Sequence, residues 1–223
     1  YTTLFRSPEL STTGIIFEQP VAEKWSEEIP GPATEALTRK AEEKNIFIVL
    51  GLAERQAGKF YNSCVLLGPG GMVGKYRKVH LAPYDQSWAE AGEGKVAAFD
   101  LPFGRVGLLA GWDLIFPESA EALAKWGTDL LCVPALWGDR KRKFLWEARL
   151  GEQMHLAVAN QWGDFGDFHA LGESLIYSYS RYPEKRFKAE SPAEGDRIKI
   201  MRLRSRDTRE KRFVENIDYD VLL

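Results

Sequence analysis

Cysteine, histidine and methionine are scarce in this chain, and no stretch stays apolar for long. Two cysteines, Cys64 and Cys132, cannot build a disulfide framework, so a reducing, cytoplasmic setting is expected. The three histidines, His80, His155 and His169, match no ligand spacing with them, so neither a metal nor another cofactor is expected. No run approaches the roughly 18 apolar residues of a membrane span, and no secretory leader is legible at the start. An excess of one charge is missing too. With 30 Lys+Arg against 32 Asp+Glu, the chain carries no one-sided field to attract nucleic acid or an anionic membrane surface. The densest basic stretch, Arg202 to Arg212, is interrupted by Asp207 and Glu210 and reads as a solvated face.

What is present is a pattern of short apolar strands alternating with helices over 223 residues, enough chain to bury one large core. Gly31-Pro32 starts a helix that runs to Lys44, with Ala33, Ala36, Leu37 and Ala41 on one face, and Asn45 stops it. Ile46 to Leu52 is nearly continuous in apolar residues and reads as a buried strand. Tyr61 to Leu67 and Met72 to Lys78 flank Gly68-Pro69-Gly70-Gly71 as a hairpin, and Val96 to Leu101 with Arg105 to Ala110 flank Pro102-Phe103-Gly104 as a second. A helix is expected from Pro117 to about Trp126, a strand over Asp129 to Pro134, a longer helix over Lys141 to Gln153, and a strand over His155 to Gln161. Leu171 to Ser180 and Arg197 to Leu203 complete the strands. Strands outnumber helices, which points to an α/β class with mixed sheets covered by helices rather than one doubly wound parallel sheet.

Four segments, in order, resemble the nitrilase superfamily of carbon-nitrogen hydrolases. They are Pro8-Glu9-Leu10-Ser11-Thr12-Thr13-Gly14, Gly74-Lys75-Tyr76-Arg77-Lys78-Val79-His80-Leu81, the stretch Gly107 to Glu118 containing Gly111-Trp112-Asp113-Leu114-Ile115-Phe116-Pro117, and Ala148 to Gln153 followed by Val158-Ala159-Asn160. The resemblance runs from Pro8 to the end of the chain and implies a nitrilase-like four-layer αββα sandwich. It also implies a chemistry in which a nucleophile, a proton-moving carboxylate and a cation beside the developing oxyanion cleave a C–N bond. By resemblance Glu9 is the general base and acid, Lys78 the oxyanion cation, the Trp112 backbone N–H a second oxyanion donor, and Asp85 the residue that best aligns with a second carboxylate. Trp88, Trp112 and Trp137 are candidate pocket walls and equally candidate core residues. His80, Asp113 and Glu118 read as structural supports, and Arg149 and Glu152 as a pair along their helix.

The departures matter more. The position of the family's nucleophilic cysteine is held by Gly111, expected in a tight turn with positive φ, and no side chain there can attack a carbonyl. Cys64 and Cys132 lie in apolar runs and read as core. Tyr1-Thr2-Thr3-Leu4-Phe5-Arg6-Ser7 spells the translation of a sequencing adapter, so residues 1–7 are expected to adopt no regular element. The domain is then expected over 8–223, lacking the first strand and helix that family members place before the Pro-Glu-Leu segment. Two readings are open. One is a catalytically inactive domain that binds or assembles, as a homodimer or with another nitrilase domain. The other is an active hydrolase of a small amide, carbamoyl compound or nitrile with a non-standard nucleophile; a functionless fragment is the bland alternative.

Overall fold

The computed structural model describes residues 3–95, 97–138, 154–178, 187–190, 200–201 and 216–217. The expected helix over Lys141 to Gln153, with Arg149 and Glu152, and the basic stretch Arg202 to Arg212 lie outside the described residues.

Two sheets face each other. The first has the order β1 (Leu4–Arg6), β2 (Phe47–Gln56), β3 (Lys59–Gly68), β4 (Gly71–Arg77), antiparallel except for the parallel β1–β2 pair. In the second, β5 (Ala98–Leu101), β6 (Gly104–Leu108), β7 (Leu130–Ala135) and β8 (His155–Asn160) are followed outward by β11 (Leu175–Ser178) and β12 (Phe187–Glu190). The β6–β7–β8 centre is parallel and its flanks antiparallel. A separate hairpin, β9 (Trp162–Phe165) and β10 (Phe168–Leu171), stands beside them, and β13 (Ile200–Met201) pairs with β14 (Asn216–Ile217).

Side-chain alternation assembles the layers. On β2, Ile48, Leu50 and Leu52 join Val65, Leu67 and Ala41 in a cluster against α2 (Pro32–Lys44). The alternate residues Phe47 and Val49 join Cys64, Leu66 and Tyr76 in the main core with Val106, Leu108, Val133, Leu156 and Val158 of the other sheet. Both faces of β2 are therefore apolar, so its sequence reads as an unbroken run rather than an alternation. Beyond the second sheet, α3 (Pro117–Lys125) closes on Gly107, where an added Cβ would meet Leu123 and Thr128 at 3.0 Å. Helix, sheet, sheet and helix are the four layers expected. Each large aliphatic chain buried in them contributes about 1.5–3 kcal/mol.

Several details depart from expectation. Residues 4–6 form a strand, registered as Leu4 with Phe47, Phe5 with Ile48 and Arg6 with Val49. The edge of β2 offers backbone groups that an extended neighbour satisfies, which is why this segment pairs instead of staying irregular. A short helix, α1 (Gln19–Trp25), begins at a proline in its first turn that the sequence reading passed over. The run from Leu171 to Ser180 is not one strand. Gly172 takes φ 64°, and its N–H donates to the Gln161 carbonyl at 2.7 Å, separating β10 from β11.

Gly51, in the middle of β2, lets another backbone pass close by. The segment after β1 bulges inward over β2 at Pro8-Glu9-Leu10 while Ser7 and Ser11 stay tied to β2. Ser7 Oγ accepts from Gly51 N–H at 3.0 Å, and Ser11 N–H donates to the Gly51 carbonyl at 2.8 Å. A Cβ at Gly51 would stand 2.4 Å from the Pro8 carbonyl oxygen and 2.9 Å from Glu9 Cα. Gly51→Ala should therefore push the Glu9 backbone off its strand and cost about 1–3 kcal/mol, as overpacking does. Urea unfolding measures it; a midpoint unchanged from the parent would contradict this close approach.

Candidate active site

The loop that Gly51 admits carries Glu9 into the space between the sheets, where its N–H donates to Ala135 O at the end of β7 at 3.4 Å. Lys78 arrives from the residue after β4, its N–H donating to Asn62 O of β3 at 2.8 Å. Asp85 comes from the turn that follows, in which its own Oδ2 accepts from Ala82 N–H at 3.0 Å. Two stretches far apart in sequence, the Glu9 loop and the segment from Lys78 to Asp85, thus meet at one ammonium group. Lys78 Nζ donates to Glu9 Oε1 at 2.6 Å and to Asp85 Oδ2 at 2.7 Å. Asn62 Nδ2 bridges the same carboxylates, donating to Glu9 Oε1 at 2.7 Å and Asp85 Oδ1 at 2.9 Å. The ring of Tyr84 lies 5.2 Å from Lys78 Nζ, and its hydroxyl donates to Leu136 O at 3.3 Å.

All four polar groups of the cluster are sealed: Lys78 and Asp85 are fully buried, and Glu9 and Asn62 are 1% exposed. Burial is the largest influence on Glu9 and raises its carboxyl; Lys78 opposes this, Asp85 adds to it, and the result is about 7. Burial pushes the Lys78 ammonium down, but Glu9, Tyr84 and Asp85 outweigh it and hold the group well above its ordinary value. Lys78 is a fixed cation. The Glu9 carboxyl lies in the range that general acid–base work requires.

Gly111 stands beside this cluster as the first residue of a 3-10 turn, Gly111–Ile115. Its φ is not among the positive values, contrary to expectation, so a side chain would be strained there by contact and not by backbone. A Cβ on Gly111 would lie 2.3 Å from Glu9 Oε2 and 3.4 Å from Ala135 Cα. The Glu9 carboxylate therefore leans into the volume that a side chain at 111 would claim.

Asp113 of the same turn is fully buried and ties it to the Lys78 segment. It accepts from Tyr76 Oη at 2.8 Å and His80 N–H at 2.7 Å, and its Oδ1 lies 2.8 Å from His80 Nδ1. The His80 ring stacks on Phe116 with centroids 3.6 Å apart. His80 and Asp113 are structural groups in this arrangement. Glu118 is instead exposed in the first turn of α3.

Of the tryptophans, only Trp112 keeps a half-buried position next to Gly111. Trp137 belongs to the main core, its N–H donating to Asn160 Oδ1 at 2.7 Å, and Trp88 packs with Leu10, Ile16, Ala22 and Ala53. Both rings are packed in the interior, as large apolar rings favour. Over the cluster lies the β9–β10 hairpin, whose Phe168 ring meets Tyr84 edge-on at 5.8 Å. Cys64 and Cys132 are both fully buried. Burial pushes the Cys132 thiol up to about 12 and the Cys64 thiol well above its usual range. Neither supplies a thiolate near neutral pH.

Asn62 and Tyr84 were not singled out from the sequence. The signal for Asn62 was a carboxamide inside the apolar run of β3, since a buried polar residue needs partners. Tyr84 had none beyond its place between Lys78 and Asp85.

Fold and cluster together define a protein class. The chain belongs to the carbon-nitrogen hydrolase family, whose model matches residues 3–210. It is 35% identical over 177 residues to a nitrilase of Pyrococcus abyssi, covering 77% of this chain and 66% of that protein. It is 34% identical over 169 residues to an omega-amidase of Homo sapiens, covering 69% of this chain and 61% of that one. Among solved structures, a double mutant of the amidase from Nesterenkonia sp. AN1 in complex with acrylamide superposes with a TM-score of 0.70 at 25% identity, covering 78% of this chain and 68% of that chain. The chain spans about two thirds or less of the length of these curated relatives. Among the described residues, no helix is long and apolar enough to cross a membrane.

The Glu9 titration makes a stability prediction. The folded chain holds this proton up to about pH 7, whereas the unfolded chain releases it near 4.5. The folded state therefore binds the extra proton between those values, and stability falls as pH rises through that window. Glu9→Gln removes this contribution and should flatten the slope. Urea midpoints measured across the window for both proteins test it; parallel slopes would contradict it.

Proposed function

We propose that this chain is a carbon-nitrogen hydrolase-fold domain that retains the charge apparatus of the reaction but not its covalent step, and holds small amide-like molecules without cleaving them through a thiol. The observation that carries this reading is Gly111. The nucleophile position offers no thiol or hydroxyl, and the nearest side-chain atom to its absent Cβ is a carboxylate oxygen, Glu9 Oε2, at 2.3 Å.

In this reading Glu9 is the proton-moving group, Lys78 the cation facing developing negative charge, Asp85 the second carboxylate that fixes Lys78, and the Trp112 N–H a second donor. The relatives named nitrilase and omega-amidase support amides or nitriles as the ligand class. Positioning and oxyanion stabilisation without a nucleophile can still leave about 10³–10⁴-fold acceleration over water, judging from a protease stripped of its catalytic residues. For unreactive amides that is too slow to register in an ordinary assay. The alternative nucleophile loses support from the burial and raised thiol values of Cys64 and Cys132.

Two measurements on the same preparation test the reading. Ammonia release from a panel of small primary amides should stay at the buffer rate, and iodoacetamide should label Cys64 and Cys132 only slowly. Gly111→Cys should add a labelling site that reacts faster than either, once Glu9 has swung aside. Turnover by the unaltered chain that Cys132→Ala or Cys64→Ala abolishes would overturn the reading.

A further inference from the structure

The cluster is unbalanced in charge and in hydrogen bonding, and both imbalances have the same sign. Once Glu9 has released its proton, above about pH 7, two carboxylates, Glu9 and Asp85, face one ammonium, Lys78. Among the described residues, two buried atoms of the cluster have no hydrogen-bond partner, Glu9 Oε2 and Asn62 Oδ1. Both are acceptors. The Asn62 orientation is fixed, because its Nδ2 donates to an oxygen of each carboxylate. An unmet buried acceptor costs roughly 1–3 kcal/mol, more when it is charged, so the cluster favours a molecule that brings N–H donors and positive charge.

Gly111 gives the bare oxygen its position. Any Cβ at 111 would displace Glu9 Oε2, which lies 2.3 Å from that point. With glycine, the carboxylate keeps one oxygen on Lys78 and Asn62 and turns the other toward the nucleophile's place.

Resting on the reading that this site binds without covalent turnover, we infer that its preferred ligand class is a small amidinium cation, not a neutral amide or a carboxylate. An amidinium has the planar shape of a primary amide, but both of its nitrogens donate and it carries the missing positive charge. One N–H edge satisfies Glu9 Oε2 in a charge-assisted hydrogen bond. A carboxylate of the same shape brings two further acceptors to a site already short of donors. Lys78 does not reverse this preference, because its ammonium is shared between Glu9 Oε1 and Asp85 Oδ2.

Three probes of nearly identical shape separate these possibilities: acetamidinium chloride, acetamide and sodium acetate, titrated calorimetrically into the native chain at a pH about one unit or more above the Glu9 value of about 7. Acetamidinium should bind about tenfold or more tightly than acetamide, with acetate weakest, the ratio expected for a hydrogen bond to a charged group. Glu9→Gln keeps the shape but removes the charge and should erase the preference. Gly111→Ala should weaken it by moving Oε2. The ranking in the native chain decides alone if either variant fails to fold. Acetamide binding as tightly as acetamidinium, a preference that survives Glu9→Gln, or no binding by any probe would overturn the inference. Ammonia released from acetamide in the same cell would instead overturn the non-covalent reading, which keeps the two failures distinct.

Discussion

A lysine ammonium buried between two carboxylates is the constraint from which this structure is best understood. Removing three charges from water costs several kcal/mol per ion, and the mutual attraction of Glu9, Lys78 and Asp85 recovers this only because the geometry is close and Asn62 donates to both acids. Apolar residues of similar volume would fill the same space at no stability loss. The cluster therefore has to be held by the surrounding fold, and several otherwise arbitrary features are explained by that need. Gly51 lets the Glu9 loop cross β2, the paired serines hold the loop ends, and Asp113 fastens the Gly111 turn to the Lys78 segment through His80 and Tyr76. Losing Lys78 would leave two buried carboxylates facing each other with no cation between them.

In the proposed reading, the glycine at 111 removes the nucleophile and leaves the charged cluster standing. The turn that would present a nucleophile is intact, its buried aspartate fully engaged. What changes is the conformation of Glu9, which can approach a position that a side chain would exclude. Its carboxyl value near 7 comes chiefly from burial, with repulsion from Asp85 adding to the rise and Lys78 opposing it. In that reading a carboxyl suited to moving protons sits beside a position with no side chain.

Much of this was legible in the sequence, for identifiable reasons. Glu9, Lys78 and Gly111 sit in contiguous motifs whose residue types are dictated by chemistry, and the apolar runs of β2, β7 and β8 announce strands buried on both faces. Asp85 follows from aligning the loop after Lys78 with the family's second carboxylate, and the structure brings it to the same ammonium. The strand at Leu4–Arg6 differs from expectation, because the match of residues 1–7 to a translated adapter says nothing about the unpaired edge they meet. The β9–β10 hairpin was overlooked because Gly163 and Gly166 were not weighed as turn signals, although both take positive φ. Asn62 escaped because its role is defined by two partners, at separations of 53 and 23 residues, that no local pattern connects. The contact between Glu9 Oε2 and Gly111 is a three-dimensional fact about an absent atom, which no motif encodes.

The most direct test of the central claim is the intact mass of the protein, acid-quenched during incubation with a small primary amide. A site with no nucleophile at 111 should give only the unmodified mass at every time point. A transient acyl increment, mapped by peptide digestion to Cys64, Cys132 or Glu9, would show that covalent chemistry persists by another route and would contradict the account.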